Sequence, residues 1–186
     1  MQTVSLQRHP ASPDDDVRNI EVGVKRSPDG VLALTYVLDG DLTRIRVPAP
    51  TAPHIAHRLW EHTCFEAFVA VDGAPAYQEF NFSPSGEWAS YGFRAYREVE
   101  SVGDEALAPA IRVRRTADRL ELHAHIPLQA LSPSHPHVTL RIGLAAVIET
   151  NDAALAYWSL HHPPGQPDFH HADTRTLRLE PIQPEC

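Results

Sequence analysis

Trp60-Glu61-His62-Thr63-Cys64-Phe65-Glu66-Ala67-Phe68-Val69-Ala70-Val71 is the stretch whose reading decides the fold. Taken with a period of two, Phe65, Ala67, Val69 and Val71 fall on one face, and Trp60, His62, Cys64, Glu66 and Phe68 fall on the other. The first set is a core face. The second combines aromatic rings, an imidazole, a thiol and a carboxylate, which suits a binding groove better than an interior. The segment Tyr77-Gln78-Glu79-Phe80-Asn81-Phe82-Ser83 alternates in the same way, with Phe80 and Phe82 on one side and Tyr77, Glu79 and Asn81 on the other.

Outward from these two segments the same texture continues. Residues 20–25 alternate, Ser27-Pro28-Asp29-Gly30 supplies a turn, and residues 31–38 return, which predicts a hairpin. Residues 110–115 and 120–126 predict a second hairpin around Ala117-Asp118, with Leu120, Leu122, Ala124 and Ile126 inward. Pro127 opens one helical turn, residues 138–149 form a long apolar strand at the centre of a sheet, and two further strands lie at 157–160 and 176–179. Short β-branched and aromatic runs punctuated by Pro, Gly, Asp and Ser specify an all-β, antiparallel β-sandwich of the immunoglobulin-like or jelly-roll-like kind.

The 186 residues suffice for one core, and the expected organisation is a single domain over residues 1–186. Asp and Glu total 24 against 16 Lys and Arg, giving a formal net charge of -8, so nucleic acid and anionic membranes are not expected partners. The stretch up to Asp16 holds no apolar run of signal-peptide length, and nothing later approaches the roughly 20 apolar residues of a membrane span. The expected address is cytoplasmic, with Cys64 and Cys186 as thiols.

The 12 histidines include the pairs His123/His125, His135/His137, His161/His162 and His170/His171. Alternate residues on a strand share a face, so His123 and His125 are able to reach one metal. Yet no cysteine pair or carboxylate stands near any of these pairs at a diagnostic spacing, and solvated or hydrogen-bonded surface histidine is the simpler reading. There is no G-x-S-x-G elbow, and no helix N-terminus precedes Cys64 to activate it. Glu66 and Glu79 form a carboxylate pair of the type glycosidases use, but carboxylates beside aromatics also hold sugar hydroxyls without reaction. Trp60 beside Glu66 suits that second role, since the C–H face of a pyranose stacks on an indole.

The Trp60 to Val69 stretch, followed by Tyr77 to Gly86, Tyr157-Trp158-Ser159 and Leu177-Arg178-Leu179, resembles the DOMON-like proteins related to family 9 carbohydrate-binding modules. The resemblance implies a sugar held between two aromatic walls, with Trp60 as the first and Glu66 as the hydroxyl-binding carboxylate. Phe169, in the loop before the final strand, stands where the second wall is expected. The expected ligand-binding set is thus Trp60, His62, Glu66, Glu79, Asn81 and Phe169, with no catalytic residue, no metal, no cofactor and a small saccharide as partner. The same resemblance implies an alternative, a domain that binds haem b or a metal through histidine ligands, because Met1 is the sole methionine.

Overall fold

Strands that alternate apolar and polar residues bury one face each when two sheets meet. The computed structural model, which describes residues 1–13, 16–132 and 134–182, contains two such sheets. Cys186 lies outside the described residues. In chain order the strands are β1 (Gln2–Ser5), β2 (Gln7–Arg8), β3 (Val17–Arg26), β4 (Val31–Gly40), β5 (Cys64–Val71), β6 (Tyr77–Phe82) and β7 (Trp88–Ala95). They continue with β8 (Glu98–Val102), β9 (Ala110–Arg115), β10 (Arg119–Pro127), β11 (Leu140–Glu149), β12 (Leu155–Ser159) and β13 (Leu177–Leu179). A five-stranded sheet runs β1-β3-β4-β10-β9, and an eight-stranded sheet runs β2-β12-β11-β5-β6-β7-β8 with β13 on β11. All pairings between these strands are antiparallel. The one α-helical turn described, α1 (Leu128–Leu131), follows Pro127, whose ring fixes the backbone entering it. The fold is therefore an all-β, antiparallel sandwich.

Turn chemistry sets the first hairpin. The Gly30 N–H donates to the Ser27 carbonyl at 3.0 Å, and Gly30 takes φ of 79°, a left-handed conformation that a side chain would strain. Between the sheets lies the main core. Ile20, Val22 and Val24 of β3, alternate residues of β4 and β10, Phe65, Ala67 and Val69 of β5, and Phe80 and Phe82 of β6 all point into it. The Tyr36 hydroxyl crosses from β4 to donate 2.7 Å to the Glu66 carbonyl, tying the two sheets together at the strand that carries the acid.

Strand β5 is buried on both sides. Its other face, with Cys64, Phe68 and Ala70, joins Tyr77, Ala89, Tyr91, Phe93, Ala145 and Val147 in a second apolar cluster on the outside of the eight-stranded sheet. Leu59 and Phe169 cover this cluster from two loops, one before β5 and one between β12 and β13. The larger sheet is thus sandwiched between the core and a loop layer, with a space left under that layer.

Candidate functional site

Register decides what stands on this outer face. Across β11, β5, β6 and β7, Ala145 lies opposite Glu66, Glu66 opposite Asn81 and Asn81 opposite Ala89. The alanines at both ends of that row leave the hollow above the acid unfilled. In the next row Phe68 lies opposite Glu79 and Glu79 opposite Tyr91, so the two carboxylates sit diagonally on neighbouring strands. Loops and sheet together enclose a cavity of about 620 Å³ bordered by Trp60, Glu66, Glu79 and Phe169, with Glu61, Tyr91, Phe93, Tyr157, Arg97 and His170 completing its polar and aromatic lining. That volume is within the range of small-molecule sites. A hollow of about 670 Å³ elsewhere, beside Gly73, Arg141 and Arg175, has no phenyl, phenol or indole wall, and Asp72 engages its Arg141 at 2.8 Å.

Four of the six residues expected from sequence therefore border one cavity, and two do not. Trp60 arrives by a route different from the expected one. Residues Leu59–Glu61 form a 3-10 turn entered through Arg58 at φ of 63°, so the indole projects from this turn and not from an alternating strand face. It remains 39% exposed and packs edge-to-face on Tyr91 at 5.6 Å, a wall open to solvent on one side. Phe169 is covered and meets Tyr157 edge-on at 6.0 Å. His62 turns away, placing Nδ1 2.8 Å from Glu149, whose other carboxylate oxygen accepts from Arg46 at 3.0 Å. With the Glu149 N–H donating to Thr63 at 3.0 Å, His62 anchors the turn that presents Trp60 and lines no part of the cavity. Asn81, on the same face of β6, is fully buried and donates to Glu79 at 2.8 Å, so it orients that acid from beside it.

The electrostatics follow from burial. Glu66 is buried, with the Cys64 thiol donating to it at 3.5 Å. Burial, reinforced by the Glu79 charge and only partly opposed by that thiol, holds its carboxyl well above the usual carboxylate range. Burial likewise pushes Glu79 up to about 7, against the Asn81 hydrogen bond and the Arg97 charge that favour its ionised form. Burial also keeps the Cys64 thiol protonated.

His170, read from sequence as solvated, instead closes the floor edge-on to Phe93 at 5.0 Å and Phe68 at 5.4 Å. Burial, with the Arg97 charge, lowers its pKa to about 4, so the ring is neutral near pH 7. Its Nδ1 shares a hydrogen bond with the Tyr77 hydroxyl at 2.9 Å, and that hydroxyl also accepts from the Arg97 N–H at 3.2 Å. Its Nε2 lies 3.7 Å from Glu79. Arg97 itself pairs with Asp168 at 2.9 Å and so ties the β7–β8 turn to the loop carrying Phe169.

The site can therefore offer two carboxyls whose burial favours the protonated form, a phenol and an imidazole, all between aromatic walls. Among the described residues no group of three His, Cys, Asp or Glu side chains comes together to hold a metal. Sequence reasoning did not pick out Tyr91, Tyr157, Arg97 or His170. Of these, Tyr91 was within reach of the alternation, since it faces the same way as Glu79 one strand over.

No protein-family model matches the sequence, and no curated protein does either. Solved structures do share the fold. The chain is similar to a proposed carbohydrate-binding protein from Bacteroides uniformis, with 16% identity, TM-score 0.66, and coverage of 94% of this chain and 84% of that one. It is also similar to a family 9 carbohydrate-binding module from Caldicellulosiruptor kristjanssonii solved with cellotriose, at 11% identity and TM-score 0.56, covering 88% of this chain and 74% of that one. A glucose complex of a family 9 module from the same organism gives 9% identity and TM-score 0.59, with 97% and 86% covered. At these identities the likeness is one of architecture.

Proposed function

We propose that this protein binds a small saccharide without transforming it, in the cavity under the loop layer. The observation that carries the reading is the placement of Trp60 and Phe169 around the carboxyl groups of Glu66 and Glu79 in one cavity. A pyranose has two apolar faces and a polar rim; aromatic walls take the faces, and Glu66 as donor with Glu79 as acceptor take the rim. The fold is one on which a neighbour holds cellotriose and another holds glucose, which makes these two the natural first ligands to test. Acting on sugar is not part of the proposal: the site holds hydroxyls through groups fixed by Asn81 and Cys64, and needs no cofactor to do so.

Stacking contributes about 1 kcal/mol per ring, and the expected dissociation constants lie between about 1 mM and 1 μM. Trp60→Ala is therefore expected to weaken glucose or cellotriose binding about five- to tenfold by calorimetry. The fold should survive, because that indole is partly exposed already. Phe169→Ala should give a similar loss. A wild-type protein that binds neither sugar, or a Trp60→Ala variant that binds both as before, overturns the proposal.

A further inference from the structure

The floor of the cavity holds more acid than the protein supplies with positive charge. Glu66 is 3% exposed and its carboxyl meets only the Cys64 thiol, while Glu79, 5% exposed, meets the Asn81 amide and the neutral His170. Every nearby cation is committed elsewhere. Arg97 pairs with Asp168 at 2.9 Å, Arg58 bonds Glu61 at 2.9 Å, and Arg175 lies over the Tyr77 ring at 4.6 Å while donating to the His170 carbonyl at 3.1 Å.

A second observation points the same way. The Tyr91 hydroxyl, on the cavity wall and 8% exposed as a residue, has no acceptor for its proton. A buried donor left in this state costs free energy that a ligand oxygen would recover. The walls around the two acids include the aromatic rings of Trp60, Tyr91, Phe93, Tyr157 and Phe169. Rings and carboxylates around one space are the chemistry that holds an organic ammonium group, by cation–π attraction and charge-assisted hydrogen bonds together.

We propose that the preferred occupant is an amino sugar with a free amine, its ammonium group seated on Glu66 and Glu79 and a ring hydroxyl accepting from Tyr91. This rests on the saccharide reading and narrows it. A neutral sugar satisfies the hydrogen bonds of the two carboxyls but brings no positive charge, so it gives neither of them a reason to lose its proton. An ammonium group brings three donors and a positive charge, and binds them ionised. The groups around the pair include Cys64, Asn81, Tyr91, His170, Glu61 and Arg97, and none of these offers a replacement cation: the first four are neutral, Glu61 is an acid bonded to Arg58, and Arg97 is held by Asp168. Amine binding therefore releases a proton to solvent, and neutral-sugar binding does not.

The test is calorimetry at pH 7 with glucosamine, glucose, N-acetylglucosamine and tetramethylammonium, repeated in two buffers of different ionisation enthalpy. Glucosamine is expected to bind at least tenfold more tightly than glucose or N-acetylglucosamine, with a buffer-dependent heat that reports proton release. Glu79→Gln and Glu66→Gln should each shrink that ratio, and the proton release of the wild type stands even if a variant does not fold. Glucose binding as tightly as glucosamine, without proton release, overturns the ammonium proposal and leaves the saccharide reading intact. Tetramethylammonium binding with no sugar bound contradicts the saccharide reading and with it the amino-sugar proposal, while silence from all four ligands overturns both.

Discussion

Phe80→Ala is expected to lower the unfolding free energy by about 3–5 kcal/mol, measured by urea denaturation. Phe80 is fully buried between the sheets and lies parallel to Phe82, with ring centres 6.2 Å apart and 7° between planes. Its removal leaves a cavity that the flanking strands cannot close, because Tyr36, itself fully buried, is held to Glu66 of the facing sheet. The site shares this dependence, since Glu79 and Asn81 are the residues on either side of Phe80 and face the opposite way. The folded fraction of the variant should still bind sugar, so ligand added in excess should shift its melting temperature upward. A loss under about 1 kcal/mol would mean that the Phe80 ring does not lie between the two sheets.

The second large effect is a dependence of stability on pH that Glu79 imposes. In the unfolded chain this carboxyl titrates near 4.5, and in the folded protein near 7. Between those values the folded state keeps a proton that the unfolded state has released. Stability therefore falls as pH rises through the window, by about 1.4 kcal/mol per pH unit and about 3 kcal/mol in all. Glu66, shifted in the same direction, adds a loss of the same sign that extends to higher pH. His170 acts oppositely: it titrates near 4 when folded and 6.5 otherwise, so its contribution rises with pH between those values and masks part of the carboxylate loss. Comparison with Glu79→Gln isolates the acid. That variant is expected to be more stable than wild type at pH 7.5, with the gap closing as the pH is lowered to 4.5. A gap that does not change with pH would show that Glu79 is ionised in the folded protein at acid pH and hence solvated.

The sandwich was readable because its strands carry a period-two signal on at least one face. From Cys64 to Val71 the two faces differ in kind, Phe65-Ala67-Val69 against Cys64-Glu66-Phe68, and both faces are used. The alternation was extended too far toward the N-terminus, to Trp60. Nothing in Arg58-Leu59-Trp60-Glu61 marks a turn by glycine or proline, and the left-handed Arg58 that makes one is stabilised by tertiary packing of Leu59. His62 was assigned to the groove for the same reason, whereas its partner Glu149 lies 87 residues away in sequence and leaves no local trace. Strand β8 was not foreseen, since all five of its residues are exposed and it follows another unmarked left-handed residue, Arg97. His170 shows the limit most clearly: a loop histidine looks solvated until the loop is folded back over Phe68, Tyr77 and Phe93.

The measurement that bears most directly on the account is amide chemical-shift mapping by NMR as glucose, and then glucosamine, is titrated into the protein. Binding in this cavity predicts shifts confined to the segment at 59–66, the strand positions around 79–81, 91–102 and 147, residues 155–157, and the loop at 167–170. Shifts gathered on the five-stranded sheet, or no shifts with either sugar at millimolar concentration, would contradict it.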